Sequence, residues 1–487
     1  MEAFLSEGAL CPDRGHGQNV CSLSGGSLIE QAFDCQPSNA MMETGRASSA
    51  DTRGTHRPPY SALVRTPPMA AIRRLAIARF ISVVGSLAAY TALIDLVYRR
   101  TNGSPVALSI TILLTIGATG FFGPFGGLLA DRWDRKLAMI ASDLAGAALF
   151  AVMAFIGPIE AIVAVALLTA IASTPFRSGS TAAIPNLVED EALVAKANSW
   201  QGIGTNLGIV FGPAIGGVLT ASLGAGPVFL LNAASFVVSA ALVWSIRAPF
   251  SGVAEKVRER GVGALLAGFR FIRAERVLLL AVLAWMVLHL GGGMDLVADR
   301  PIAEVFGTGS VGYGAILGLY GVGAVAGALL ASRLTAASEL PAVVVGFVVA
   351  GVLGIGIALA PVFAIVLGCN LLWGVADGVT TTARQGIIQR RTPDALRGRV
   401  AAANDTILQG SLVIPFLAAG PVIGTIGAQA TYGIGAIAFF AAAILAAMAA
   451  SVARRTARPA AGAAAAAAAT EREEPALAPL DAMPKVE

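Results

Sequence analysis

GGLLADRWDRK, residues 126–136, decides how this chain folds. It places Asp131, Arg132, Asp134, Arg135 and Lys136 almost side by side, directly after an apolar run that began near Pro105. Charges this dense cannot lie in hydrocarbon, so the run must end here in a water-facing loop. Apolar runs of about 20 residues, the length a helix needs to cross a bilayer, recur from Phe80 to Val452. The 487 residues are 56% hydrophobic and only 13% charged, with a mean hydropathy of +0.73. A soluble chain is about 25% charged, so too little polar surface remains here to cover a globule. The runs are also too long for the strands of a membrane β-barrel, which take about ten residues each. The chain is therefore read as an all-α membrane protein.

Gly and Pro punctuation divides the runs into twelve crossings, near 77–98, 105–130, 137–157, 159–182, 198–222, 226–247, 277–297, 311–334, 341–360, 362–383, 400–424 and 428–452. Ser104-Pro105 reads as a helix start with Pro at the first helical position. Basic residues set the orientation. Arg73, Arg74 and Arg79 precede crossing one, Arg132, Arg135 and Lys136 follow crossing two, and Lys256, Arg258, Arg260, Arg270, Arg273 and Arg276 crowd the stretch between six and seven. Arg390, Arg391, Arg397 and Arg399 lie between ten and eleven, and Arg454, Arg455 and Arg458 follow twelve. The opposite loops hold chiefly Arg99, Arg100 and Arg300. Both termini are thus expected in the cytosol, with the chain spanning a cell (inner or plasma) membrane many times.

The chain also repeats itself. GGLLADR at 126–132 returns as GALLASR at 327–333, and VEDEALVAKAN at 188–198 returns in TPDALRGRVAAAN at 392–404, at nearly one offset. Two echoes at a shared spacing imply two six-helix bundles related by a pseudo-twofold, enclosing a site at the midplane. The expected organisation is a disordered cytosolic tail at 1–70, bundles at 71–247 and 277–452, a linker at 248–276, and a second disordered tail at 453–487. Within the linker, 255–276 reads as an amphipathic helix with Leu265, Leu266 and Phe269 toward lipid. Cys11, Cys21, Cys35 and Cys369 match no zinc spacing and are read as unpaired.

Gly127-Leu128-Leu129-Ala130-Asp131-Arg132-x-Asp134-Arg135-Lys136 resembles the loop 2–3 signature of the major facilitator superfamily, with Asp134 in place of its second glycine. The resemblance implies a cytosolic gate motif, in which Asp131 caps a helix or pairs with a base while Arg132, Arg135 and Lys136 add ion pairs that break on opening. On crossing five, Gly204-x-x-x-Gly208-x-x-x-Gly212-Pro213-x-x-Gly216-Gly217 puts a glycine every fourth residue on one face. Residues alone give a close helix seam with a proline bend. The string is also similar to the antiporter motif of drug:proton exporters. SLAAYTALIDLVYRRTNGSPVAL, SDLAGA, AAIPNLVEDEALVAKANSW and TPDALRGRVAAAND resemble the macrolide efflux and enterobactin exporter group over nearly all of residues 72–452. Two departures stand out: Ser86, not an acid, follows Gly85, and Arg177 sits near the cytosolic end of crossing four instead of its middle.

Ionisable groups inside a crossing are functional candidates. Asp95, Asp143, His289 and Asp377 are the proton-coupling candidates. For Asp95 the structural alternative is a pair with Arg99, for Asp143 a pair with the gate cations, for Asp377 a pair with Arg384, and for His289 a simple hydrogen bond. Asp295 and Asp299 are expected to face outer water. By the superfamily's architecture crossings one, four, seven and ten line the cavity, which makes Phe80, Tyr90, Trp285, Met286, Asn370 and Trp373 the wall candidates. An apolar wall without a deep acid on crossings one, four or seven suits a large amphipathic cargo.

The resemblance thus implies a multidrug-type efflux carrier that exports an amphipathic small molecule in exchange for protons. It would work as a monomer in the lipid bilayer, with no cofactor, metal or nucleic acid. The alternative is an exporter or facilitator of an endogenous siderophore or lipid-like compound without proton coupling. A membrane enzyme would need a cluster of chemical groups, and of only three histidines His16 and His56 lie in the tail. The chain is not read as an enzyme. A transport-dead sensor would be expected to lose the gate or glycine motif, and both stand.

Overall fold

A computed structural model describes residues 67–118, 134–188, 191–248, 250 and 262–473. In chain order the helices are α1 (Pro68–Arg100), α2 (Pro105–Ile112, continued by a π-helical turn at Leu113–Gly117), α3 (Arg135–Phe155), α4 (Ile159–Ala172), α5 (Thr174–Leu187), α6 (Glu191–Leu223) and α7 (Ala225–Trp244). A connecting helix α8 (Val262–Ala274) follows. The second half comprises α9 (Arg276–Val305), α10 (Gly309–Ala331), α11 (Glu339–Ala358), α12 (Phe363–Arg391), α13 (Arg397–Ser411), α14 (Val413–Ile426) and α15 (Ala428–Glu473). Crossing four is α4 plus α5 and crossing eleven is α13 plus α14. Among the described residues eleven helical stretches are long and apolar enough to cross a membrane, and the apolar helix Pro105–Gly117 supplies the start of another.

Local chemistry accounts for the helix starts. The Ser104 side chain accepts from Ala107 N–H, with Pro105 at the first position. Asp134 Oδ1 accepts from Leu137 N–H at 2.9 Å, so the residue that replaces the signature's second glycine caps α3. Glu275 caps α9 in the same way. Gly224 (φ +80°) and Gly427 (φ +85°) make the one-residue turns before α7 and α15. They are 203 residues apart and equivalent in the repeat, and the left-handed conformation at each favours glycine.

The two halves repeat their packing. In the first, α1 packs on α6 and α7, and α3 on α7; in the second, α9 packs on α14 and α15, and α11 on α15. Between halves α6 packs on α10 and α2 on α14. Crossings five and eight exchange with eleven and two under the pseudo-twofold, so these two seams are one interface used twice. The twelve-crossing, two-bundle architecture read from the sequence holds.

Three boundaries differ from expectation. Arg300 does not lie in a loop: α9 runs to Val305 through Pro301, and Arg300 is 1% exposed. The segment from 453 continues as helix to Glu473, in keeping with the high helix propensity of its alanines. Phe269 faces protein, packing near Ile272, Val282 and Val400, while Leu266 is exposed. Gly268 of α8 approaches the Arg399 carbonyl so closely that a side chain there would collide. This contact docks α8 onto α13 instead of leaving the whole helix to lipid.

Candidate gate and translocation site

The connections at 101–104, 156–158, 224, 306–308, 359–362 and 427 share one end of the bundle, here the far end. The opposite end carries α8 and the start of α1. Among the described residues, close contacts between the halves gather toward the far end. Ideal Cβ atoms at Gly217 and Gly314 would each come 2.5 Å from a backbone oxygen of the other half, Ser310 O and Pro213 O. Gly318 and Gly321 of α10 lie along Val210 and Ile209 of α6. Gly420 of α14 lies on the Val106 backbone, where a Cβ would be 2.6 Å from Val106 Cα.

The glycine string thereby divides into two tasks. Gly204, Gly208, Gly212 and Gly216 face α1 inside the first half: Cβ atoms would meet Ala76 O at 3.2 Å, Val83 Cγ1 at 2.5 Å, Leu87 Cβ at 2.7 Å and Ala88 Cα at 2.6 Å. Pro213 and Gly217 face the other half. The sequence did not single out a comparable seam in the second half, where Gly323 and Gly327 of α10 interlock with Gly374 and Gly378 of α12. Both strands of that seam carry small residues four apart, the pattern that lets backbones touch.

An ion-pair network joins the two halves at the far end. Asp95 is 1% exposed and accepts from Arg99 Nε at 2.8 Å and from Arg300 Nε at 2.8 Å. Arg300 also reaches Glu304 at 2.8 Å and lies over the Tyr98 ring at 4.4 Å. Arg99 Nη2 donates to Ser310 Oγ at 3.3 Å. The expected Asp95–Arg99 pair is present, but the partner from the other half, Arg300, was hidden by its assignment to a loop. Asp295 and Asp299 do not face water; they are 1% and 7% exposed. Crossings one and seven therefore both carry deep acids, which corrects the reading of a wall without them.

The remaining candidates fall into separate places. Gly127, Asp131 and Arg132 lie outside the described residues. Lys136 Nζ donates to Trp244 O at 2.9 Å and Ile246 O at 2.8 Å, and Arg135 donates to Ala182 O, tying this end of the first half together. Asp143 is fully buried with Ser239 and Arg79 as polar surroundings, and Arg79 bonds Thr205 at 3.5 Å. Its cation is thus Arg79 on α1, not the described gate cations. His289 Nδ1 lies 3.1 Å from both Leu408 O and Ser411 Oγ, a bond within the second half.

Asp377 Oδ2 accepts from Tyr320 Oη at 2.9 Å, while Arg384 approaches Asp405 at 3.9 Å and the Trp285 ring at 5.9 Å. Tyr320 is a partner the sequence gave no sign of, because it sits 57 residues away on another helix. Tyr320→Phe should lower stability by about 1–3 kcal/mol, since it strands a carboxylate oxygen. Asp377→Asn, whose amide oxygen still accepts the Tyr320 proton, should cost less. Thermal unfolding of the two variants in detergent checks the order.

Of the wall candidates, Trp285 is buried against Phe347 in an edge-on pair and Asn370 bonds its own Val366 carbonyl. Phe80 lies against Gly204, Trp373 sits edge-on between Tyr320 and Phe439, and Tyr90 and Met286 are half-buried. Trp285 therefore belongs to the packed interior of its bundle. Cys369 is unpaired, and among the described residues no group of His, Cys, Asp and Glu could hold a metal.

Residues 75–415 match the family model of the Major Facilitator Superfamily. The enterobactin exporter EntS of Shigella boydii serotype 18 is 27% identical over 69% of this chain and 81% of its own length. The same exporter from Escherichia coli O139:H28 gives the same figures. Among solved structures, the nucleoside transporter NupG superposes with a TM-score of 0.59 at 15% identity, covering 78% of this chain and 98% of that one. A bacterial homologue of the human lysosomal transporter Spinster, in an inward-facing and unoccupied conformation, gives 0.56 at 14% identity, covering 80% and 96%.

Proposed function

From the premise that the chain belongs to the major facilitator superfamily, we propose that it is an efflux carrier exporting an amphipathic small molecule, by alternating access and in exchange for protons. It is a membrane transport protein, not an enzyme. One observation carries the reading: two repeated bundles meet in glycine-lined seams and a buried ion pair gathered at the far end. A pair of bundles joined so unevenly can rock about a central site, opening one end as the other closes. We place the far end outside the cell and both termini in the cytosol, because the basic residues crowd the terminal end. The GxxxGPxxGG string of α6 supports export, and the buried acids support an exchanged proton.

A second reading is favoured by the likeness to EntS: the cargo is an endogenous siderophore-like compound. To separate the two, everted vesicles containing the protein are loaded with an acidic interior and followed with a pH-sensitive dye. Amphipathic drugs, dyes and siderophores are then added, with Asp131→Asn as the control. Proton release from wild-type vesicles alone establishes exchange and gives the cargo class. Accumulation of a cargo without any proton movement sinks the coupling and leaves the facilitator reading.

A further inference from the structure

A third echo lies across the gate. Asp95-Leu96-Val97, with Arg100 three residues on, returns as Asp295-Leu296-Val297 with Arg300, at an offset of 200. Asp95 and Asp295 are thus mates in the repeat, and each is 1% exposed. Their surroundings differ completely. Asp95 holds two guanidinium groups. By symmetry Arg100 would serve Asp295, but it donates instead to the Gly157 carbonyl in its own half.

Asp295 is pressed against α15, where a Cβ at Gly435 would lie 2.7 Å from its Oδ1. Neither carboxylate oxygen has a hydrogen-bond partner among the described residues. The titratable groups that act on it are Asp299 on its own helix and Tyr432 from α15, while Tyr313 and Tyr320 from α10 and Tyr90 from α1 act on Asp299. The α14 segment packed on α9 contributes none. Tyr432 donates to Asp299, while the Tyr313 hydroxyl, fully buried, has no hydrogen-bond partner among the described residues. The cation next along the chain, Arg300, is committed to Asp95 and Glu304.

Building on the proton-exchange reading, we propose that Asp295 is a proton-binding site whose occupancy is linked to closure of the far end. An ionised carboxylate in this seam has no counter-charge, and burying one unpaired costs far more than burying a neutral acid. While Arg300 is held by Asp95, one proton on an Asp295 oxygen removes the charge. When the halves part at the far end, Arg300 loses Asp95 and is left beside Asp299 and Asp295 on its own helix. Water then reaches the seam and the proton leaves. Closure takes one proton up and opening releases it, so falling pH favours the closed far end.

The test needs no cargo. Spin labels at Asn102→Cys, in the turn after α1, and Thr425→Cys, at the far end of α14, both exposed and in different halves, are placed in full-length protein whose four cysteines are serine. Their distance distribution is read in lipid nanodiscs from acid to alkaline pH. Wild type is expected to populate the short distance increasingly as pH falls, and Asp295→Asn to stay short at every pH. A wild type with no pH response overturns this proposal and the proton-exchange reading together. A responsive wild type with an equally responsive Asp295→Asn, at the same midpoint, overturns only the assignment to Asp295. Should the asparagine variant not fold, Asp295→Glu must respond with a displaced midpoint; an unchanged midpoint counts against the assignment.

Discussion

Arg300→Gln should open the far end. In the closed arrangement the Arg300 side chain is 1% exposed and joins Asp95 of one half to Glu304 of the other. Removing one member of a buried pair costs about 3–5 kcal/mol, because the partner's charge stays behind. Arg99 still holds Asp95, so the lower end of that range applies. With about 1.4 kcal/mol per tenfold, the closed-to-open ratio should fall by about a hundredfold. Ser310, 1% exposed at the same seam, reports the change. A cysteine there should react with a membrane-impermeant maleimide slowly in the parent and far faster beside Arg300→Gln. Equal rates would show that the pair does not hold the gate.

Adjacent glycines on α6 should fail in opposite ways. A side chain at Gly216 strikes the Ala88 backbone at 2.6 Å, inside one bundle. That clash exists whichever end is open. Gly216→Ala should therefore lose about 1–3 kcal/mol of stability, the usual cost of overpacking, and melt at lower temperature. A side chain at Gly217 strikes Ser310 O at 2.5 Å and Gly314 Cα at 3.0 Å, across the two bundles. Here the bundles can part and relieve it. Gly217→Ala should leave the melting temperature nearly unchanged but raise labelling at Ser310→Cys. Both measurements on both variants separate a packing glycine from a gating one, and matching behaviour would refute the division of the string into two tasks.

The sequence made the architecture legible because hydropathy, glycine spacing and the repeat are all local patterns. Twelve runs, two echoes and one face of glycines need no knowledge of a partner helix. The gate was not legible for the converse reason. Asp295, Asp299, Arg300 and Pro301 together look like the end of a crossing, and a reading by hydropathy stops at 297, before Asp299, Arg300 and Pro301. What keeps Arg300 in a buried helix is Asp95, 205 positions earlier, and what satisfies Asp299 is Tyr432, 133 positions later. Charge compensation between helices is a property of the fold. The same holds for Tyr320 and Asp377, and for the glycines of α10 and α12, whose role appears only when the two strings meet. The third echo was present in the sequence but carried no meaning until one aspartate was seen paired and its mate unpaired.

The central claim is that the two ends open in alternation. Two spin-label pairs test it most directly. One is the far-end pair Asn102→Cys with Thr425→Cys, and the other, at the terminal end, is Ser199→Cys on α6 with Ser332→Cys after α10, all four positions being exposed. Distances for both pairs are recorded on matched samples across pH and with added cargo. Alternating access requires that the terminal-end pair shortens whenever the far-end pair lengthens. Both distances widening together, or one end moving while the other stays fixed, would contradict it.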